Sequence, residues 1–98
     1  MELHIVAKNK LELTPAIKDY VNKKIASLNE RFQHITIINV ALHIDNLDHC
    51  ADANLHMNGH EVSAHAKAPT LYEAIDRLSD KLVAQLTKLK ERITDTHQ

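Results

Sequence analysis

The sequence predicts one α+β domain, in the order β-α-β-β-β-α, with two helices packed on one face of a four-stranded sheet. Three observations predict it. Two segments carry apolar residues at helical spacing, four others alternate with period two, and turn or capping residues punctuate them. A chain of 98 residues is long enough for one core and too short for two.

The first strand is read at residues 3–8, "LHIVAK", where Leu3, Ile5 and Ala7 share a face against His4, Val6 and Lys8. "LTPAIKDYVNKKIASLNERF" is a helix. Thr14 caps it, and Pro15 occupies the first helical position, where a missing N–H costs nothing. Ile17, Val21, Ile25, Leu28 and Phe32 then recur on one side. "ITIINVALHID" is rich in β-branched residues and reads as a long strand with Ile38, Val40, Leu42 and Ile44 inward. "CADANLHM" alternates with Ala51, Ala53, Leu55 and Met57 inward. Asn58-Gly59 follows as a two-residue hairpin, because both positions tolerate positive φ. "HEVSAHAKA" returns with Val62, Ala64, Ala66 and Ala68 inward. Pro69 ends that strand, and Thr70 with Glu73 forms a capping box. The last helix runs over about 71–93, with Leu71, Ile75, Leu78, Leu82, Leu86, Leu89 and Ile93 as its apolar stripe. The small residues Ala51, Ala53, Ala64 and Ala66 let helices sit close to the sheet, and its other face is left to water.

Composition narrows the chemistry. Hydrophobic residues make up 44% and aromatic residues 3%, so the core is aliphatic. Gly59 is the single glycine, which argues against a glycine-rich phosphate loop. Cys50 is the single cysteine and reads as a buried, passive thiol. No serine sits in a nucleophile elbow, and Cys50 beside His49 lacks a group to orient a base, so the chain is not read as an enzyme. Asp45, Asp48 and Asp52 lack the calcium-loop pattern and read as a solvated acidic turn. The N-terminus lacks a signal peptide's pattern, and no stretch approaches the ~20 apolar residues of a membrane span. The expectation is a soluble cytoplasmic protein of one domain over residues 1–98, with no cofactor, no metal and no membrane partner.

The charges are distributed unevenly. Formal net charge is -1, from 12 Lys+Arg and 13 Asp+Glu. On the last helix, with about 100° per residue, Lys81, Lys88 and Arg92 fall within about 60° of Arg77. Glu73, Asp76, Asp80 and Glu91 lie on the opposite flank of the apolar stripe, while Asp95 intrudes on the basic edge. The first helix has a weaker basic edge of Lys24 and Arg31, shared with Tyr20 and Ser27. Charge runs on helices are ordinarily solvated faces. Here Arg77–Lys81 and Asp76–Asp80 are like-charge pairs four apart, which weaken an isolated helix by about a few tenths of a kcal/mol each. A basic edge that tracks RNA phosphates without reading bases is the functional alternative. Which edges of the two helices meet is left open, a shared basic groove being one arrangement.

Four histidines, His4, His43, His56 and His65, fall on outward strand positions. They lack H-x-H or HExxH spacing, which argues against a metal site and favours a water-exposed face that merely tolerates histidine; a metal- or pH-sensing face is nonetheless the second functional class to weigh.

Two stretches carry a family resemblance. "LTPAIKDYVNKKIASL" and "LYEAIDRLSDKLVAQLTKLK" resemble the ribosome hibernation-promoting factors, the ribosome-associated inhibitor / sigma-54 modulation protein family, over nearly the whole chain. The second is the more specific, through Leu71-Tyr72, Ala74-Ile75-Asp76, Asp80-Lys81-Leu82, Gln85-Leu86 and Lys88. The resemblance implies a fold similar to double-stranded RNA-binding domains. It implies binding to the small ribosomal subunit and its rRNA, in the channel of mRNA and the A- and P-site tRNAs. It further implies a block on translation in stationary phase and promotion of inactive ribosome dimers. By position it points to Lys24, Lys81 and Lys88 as rRNA contacts, with Arg31, Lys90 and Arg92 added, while Arg77 fits the stripe. Ser27 and Ala84 stand where relatives often carry Lys and Arg. The chain length resembles the short branch, without a C-terminal dimerisation domain, which acts on whole ribosomes with a separate small ribosome modulation factor. A binder of free RNA duplexes is a third reading, which a net charge near zero disfavours.

Overall fold

The computed structural model describes the backbone of residues 1–95 and side-chain surroundings as far as Arg92. Its elements are β1 (Glu2–Ala7), α1 (Pro15–Arg31), β2 (Ile35–Asp45), β3 (Asp48–Met57), β4 (His60–Ala68) and α2 (Leu71–Asp95). The strands lie in the order β1-β2-β3-β4. β1 runs parallel to β2, and the other neighbours are antiparallel. This is the expected order, with β3 starting two residues early and α2 running on to Asp95.

Local chemistry sets the element ends. Ile17 N–H donates to Thr14 Oγ1 at 3.3 Å, closing the start of α1. Phe32 leaves the helix in an extended conformation while its N–H still reaches Leu28 O at 2.9 Å. His34, at φ 75, turns the chain into β2. At the other helix start, Glu73 N–H donates to Thr70 Oγ1 at 3.2 Å. Asn58 and Gly59 take φ 52 and 76, so both central residues of the β3–β4 turn are left-handed. A Cβ at Gly59 would meet nothing, so the backbone angle rather than space favours glycine there. Asn46, at φ 58, makes the β2–β3 turn, a hairpin carried by one left-handed asparagine.

The core lies between the sheet and the helix pair. Leu28, Ile38, Leu42, Leu55, Leu82 and Leu86 are its largest fully enclosed side chains together with Val21 and Val40. Ala51, Ala53, Ala66 and Ala68 are buried and form a flat floor for α2; Ala64 is half-buried. Ile44, expected inward, is 37% exposed, because it stands one rung from the end of the β2–β3 hairpin, next to the closing Asp45–Asp48 rung, where the cover of the core fades. Cys50 is buried although its strand parity points outward, between His43 and Lys67 in register. The burial expected of Ile93 and the place of the Asp95 side chain lie outside the described residues. No helix among the described residues is long and apolar enough to cross a membrane.

Leu82 is completely buried at the centre of the α2 stripe. Leu82→Ala should lower the unfolding free energy by about 3 kcal/mol, measured by urea denaturation. A loss below about 1 kcal/mol would mean that the stripe is not the principal packing surface of α2.

Candidate nucleic-acid interface

The apolar stripe of α2 lies on the sheet, and this seating sends its two charged flanks in different directions. The acidic flank meets α1: Asp76 Oδ1 accepts from Lys24 Nζ at 3.0 Å and from the Tyr20 hydroxyl at 2.5 Å. The basic flank turns to β4 instead. Arg77 Nη1 donates to Lys67 O at 2.7 Å, Lys81 Nζ to His65 O at 2.5 Å, and Gln85 Nε2 to Ser63 O at 2.9 Å. The basic edges of the two helices therefore do not share one groove; α2 stands between them.

The three bonds to β4 have matching periods. Alternate carbonyls of a strand are about 6.8 Å apart, and residues four apart on a helix rise about 6 Å. Arg77, Lys81 and Gln85 thus reach successive outward carbonyls of an edge strand that would otherwise lack partners. This explains the like-charge pair Arg77–Lys81: each cation faces a carbonyl dipole of β4 rather than its neighbour. Gln85 is the third rung, a residue the charge pattern passes over, although its spacing of four from Lys81 marks it.

On the other flank, Tyr20, Lys24 and Asp76 form one unit. The Tyr20 hydroxyl, followed by the Lys24 ammonium, holds the Asp76 carboxyl below its usual pKa. Donation to Asp76, with a smaller part from burial, raises the Tyr20 phenol. The bond to Asp76 likewise raises Lys24. Tyr72 meets Tyr20 edge-on at 5.0 Å between ring centroids, and Lys24 Nζ lies 5.6 Å from the Tyr20 ring. Lys24 is thereby a partnered cation, and charge spacing on either helix alone gives no sign of Asp76 as its partner.

The remaining cations lie toward the far ends of the helices. Lys88 and Arg92 line a depression of about 270 Å³ with His60, Glu61 and Gln85, just past the last rung to β4. Neither has a partner among the described residues. Arg31 lies over the Phe32 ring at 5.5 Å and shares a second depression, of about 260 Å³, with Lys90, His34 and Asn58. Lys90 thus belongs with α1's edge rather than with Lys88. Ser27 and Ala84 are both exposed.

On the open face of the sheet, His43 Nδ1 lies 3.6 Å from Asp52 Oδ2, and His65 Nδ1 bonds the other oxygen of the same carboxylate. His4 Nε2 is 3.2 Å from Glu2. Among the described residues no three His, Cys, Asp or Glu side chains gather as a cation site would need.

Comparison with known proteins follows this geometry. The family model described as Sigma 54 modulation protein / S30EA ribosomal protein matches residues 3–94. The ribosome hibernation promoting factor of Klebsiella oxytoca is 42% identical over 93 residues, 95% of this chain and 97% of that protein. That of Escherichia coli (strain K12) is 41% identical over the same share of each chain. Among solved structures, a ribosomal subunit interface protein from Coxiella burnetii superposes with TM-score 0.83 at 28% identity, covering 93% of this chain and 99% of that one. The N-terminal domain of Thermus thermophilus Protein Y gives TM-score 0.81 at 32% identity, covering 91% of this chain and 99% of that one. Fold and similarity together define the class: non-enzymatic ribosome-binding proteins built as a small α+β domain. Within it, the chain belongs to the Sigma 54 modulation protein / S30EA ribosomal protein family.

Two predictions rest on this geometry. Because the Asp76 carboxyl is held below 3.8, its contribution to stability is present above that pH and is lost as pH falls through the lower folded-state value. Tyr20 and Lys24 are raised, so their contributions are full below their unfolded values, near 10, and fade as pH rises through the higher folded ones. Thermal unfolding against pH should show Asp76→Asn flattening both limbs, because it removes the partner of Tyr20 and Lys24, and Tyr20→Phe flattening the alkaline limb and reducing the acid one, because Tyr20 is the larger restraint on Asp76; variant profiles parallel to the wild type would refute the linkage. Second, replacing Arg77 and Lys81 together by Ala should lower the unfolding midpoint. Replacing Lys88 and Arg92 by Ala should change stability by less than about 0.5 kcal/mol. Equal effects of the two pairs would remove the distinction between them.

Proposed function

We propose that this protein is a cytoplasmic ribosome hibernation factor. It binds the small ribosomal subunit in the channel of mRNA and the A- and P-site tRNAs, blocks translation there, and promotes inactive ribosome dimers in stationary phase. The observation that carries the reading is the 42% identity, over 95% of the chain, to a ribosome hibernation promoting factor. In this reading the chain acts as a single ribosome-binding domain, on whole ribosomes and together with a separate small ribosome modulation factor.

The residues supply a mechanism that needs no catalysis. A rigid domain occupies the channel, and its cations contact rRNA phosphates and release counterions. Lys88 and Arg92 are the first contacts, because neither has a partner among the described residues to give up before meeting a phosphate. Arg31 and Lys90 form a second contact across the end of the helix pair. Arg77, Lys81 and Lys24 border these sites while holding β4 and Asp76. Phosphate contact positions a protein without reading sequence, which suits a factor that recognises one fixed RNA surface by shape.

Co-sedimentation with purified small subunits tests it. Lys88→Glu with Arg92→Glu should cut affinity by at least about tenfold and lower the slope of log affinity against log salt by about one per lost cation. Circular dichroism should stay that of the wild type. Unchanged co-sedimentation at moderate salt would overturn the phosphate-contact mechanism. Failure of the wild-type protein to bind small subunits or whole ribosomes would overturn the function itself.

A further inference from the structure

The two edges of the sheet are treated differently. Beside β4, the side chains of Arg77, Lys81 and Gln85 cover the outward carbonyls, and Val62, Ala66 and Ala68 are buried beneath. β1 has no such cover. Lys8 N–H donates to Leu42 O at 2.9 Å, so the even-numbered residues of this strand direct their backbone groups to β2. The odd ones, Leu3, Ile5 and Ala7, therefore direct theirs outward, where no described residue bonds them. Their side chains are only half-buried, so the inner face of the sheet is left unfinished along this edge.

The unpaired strand is complementary to itself. In an antiparallel pairing of two copies centred on Ile5, Leu3 lies opposite Ala7 and Ile5 opposite Ile5. These are the residues whose N–H and C=O face outward, so each exchanges both bonds with its opposite. The same register keeps the apolar sides of the two sheets on one face. It places Glu2 of each copy opposite Lys8 of the other, an ion pair repeated by the two-fold axis. A lysine at the end of an edge strand ordinarily blunts it; here it meets a carboxylate. Shifting the centre to His4 would set Glu2 against Val6 and lose both pairs. Beyond Lys8 the chain leaves the edge through Asn9 and Lys10, at φ 56 and 66, and Leu11 and Leu13 pack on the core.

We infer that β1 is a self-association edge, through which two copies of this chain pair antiparallel about Ile5 into one continuous sheet. The partner is a second copy rather than an unrelated peptide, because the charges and the apolar pattern match only when β1 meets itself in this register. This association is separate from the proposed ribosome contact, since neither Glu2 nor Lys8 belongs to the cations assigned to RNA.

Sedimentation velocity of the purified protein, up to millimolar concentration, reads the association directly. The wild type should show a monomer–dimer equilibrium. Glu2→Lys and Lys8→Glu should each weaken it about tenfold, and the two reversals combined should restore it. His4 and Val6 are exposed and fall opposite one another in a non-hydrogen-bonded pair, about 4.5 Å between Cα atoms, which admits a disulfide. His4→Cys with Val6→Cys should oxidise to a covalent dimer, while His4→Cys alone should not. A monomer at every concentration, a dimer indifferent to both charge reversals, or cross-linking by His4→Cys alone would each overturn the proposal.

Discussion

The seating of α2 on an alanine floor governs the rest of the molecule. Ala51, Ala53, Ala66 and Ala68 are nearly free of solvent, and Leu78, Leu82 and Leu86 press onto the same core. Small residues below and leucines above leave little freedom for the helix to turn about its own axis. A turn of one residue, about 100°, would lift the leucines out and bring charge in. Every polar contact of the helix follows from this fixed rotation. Asp76 is carried to Lys24 and Tyr20 on one side, and Arg77, Lys81 and Gln85 are carried to β4 on the other.

This rotation divides the basic residues by task. Arg77 and Lys81 serve the fold by covering an edge strand, which accounts for two like charges one turn apart. Lys24 serves it by joining the helices through Asp76. Lys88 and Arg92 stand beyond the last bond to β4, with no partner among the described residues. A net charge of -1 is compatible with phosphate binding because the acidic flank is turned toward α1 rather than mixed among these cations.

The sheet supplies the second theme. Its β4 edge is covered, its β1 edge is not, and the histidines of its open face are distributed among carboxylates. His43 and His65 share Asp52, and His4 lies beside Glu2. The polar face is thus organised by neighbouring strands in register, with Asp52 opposite His65 and two positions from His43's rung.

Most of the fold was legible in the sequence. Thr14, Pro15, Asn58-Gly59 and Thr70 act within a few residues of themselves, and alternation assigns inward faces without knowledge of neighbours. Ile44 and Cys50 departed from that alternation because burial also depends on what lies above a rung, not on parity alone. The candidate site was legible in part: Lys81, Lys88 and Arg92 are found by helical spacing. The sequence by itself determined which elements form, where they begin, and which side of each is apolar, since periodicity and capping are local. Only the tertiary structure decided that Lys24 is held by Asp76, that Arg77 and Lys81 cover β4, and that Lys90 sits with Arg31. Those outcomes depend on how one helix is rotated against partners distant in sequence, Tyr20 and Asp76 lying 56 positions apart, and no local pattern encodes that rotation.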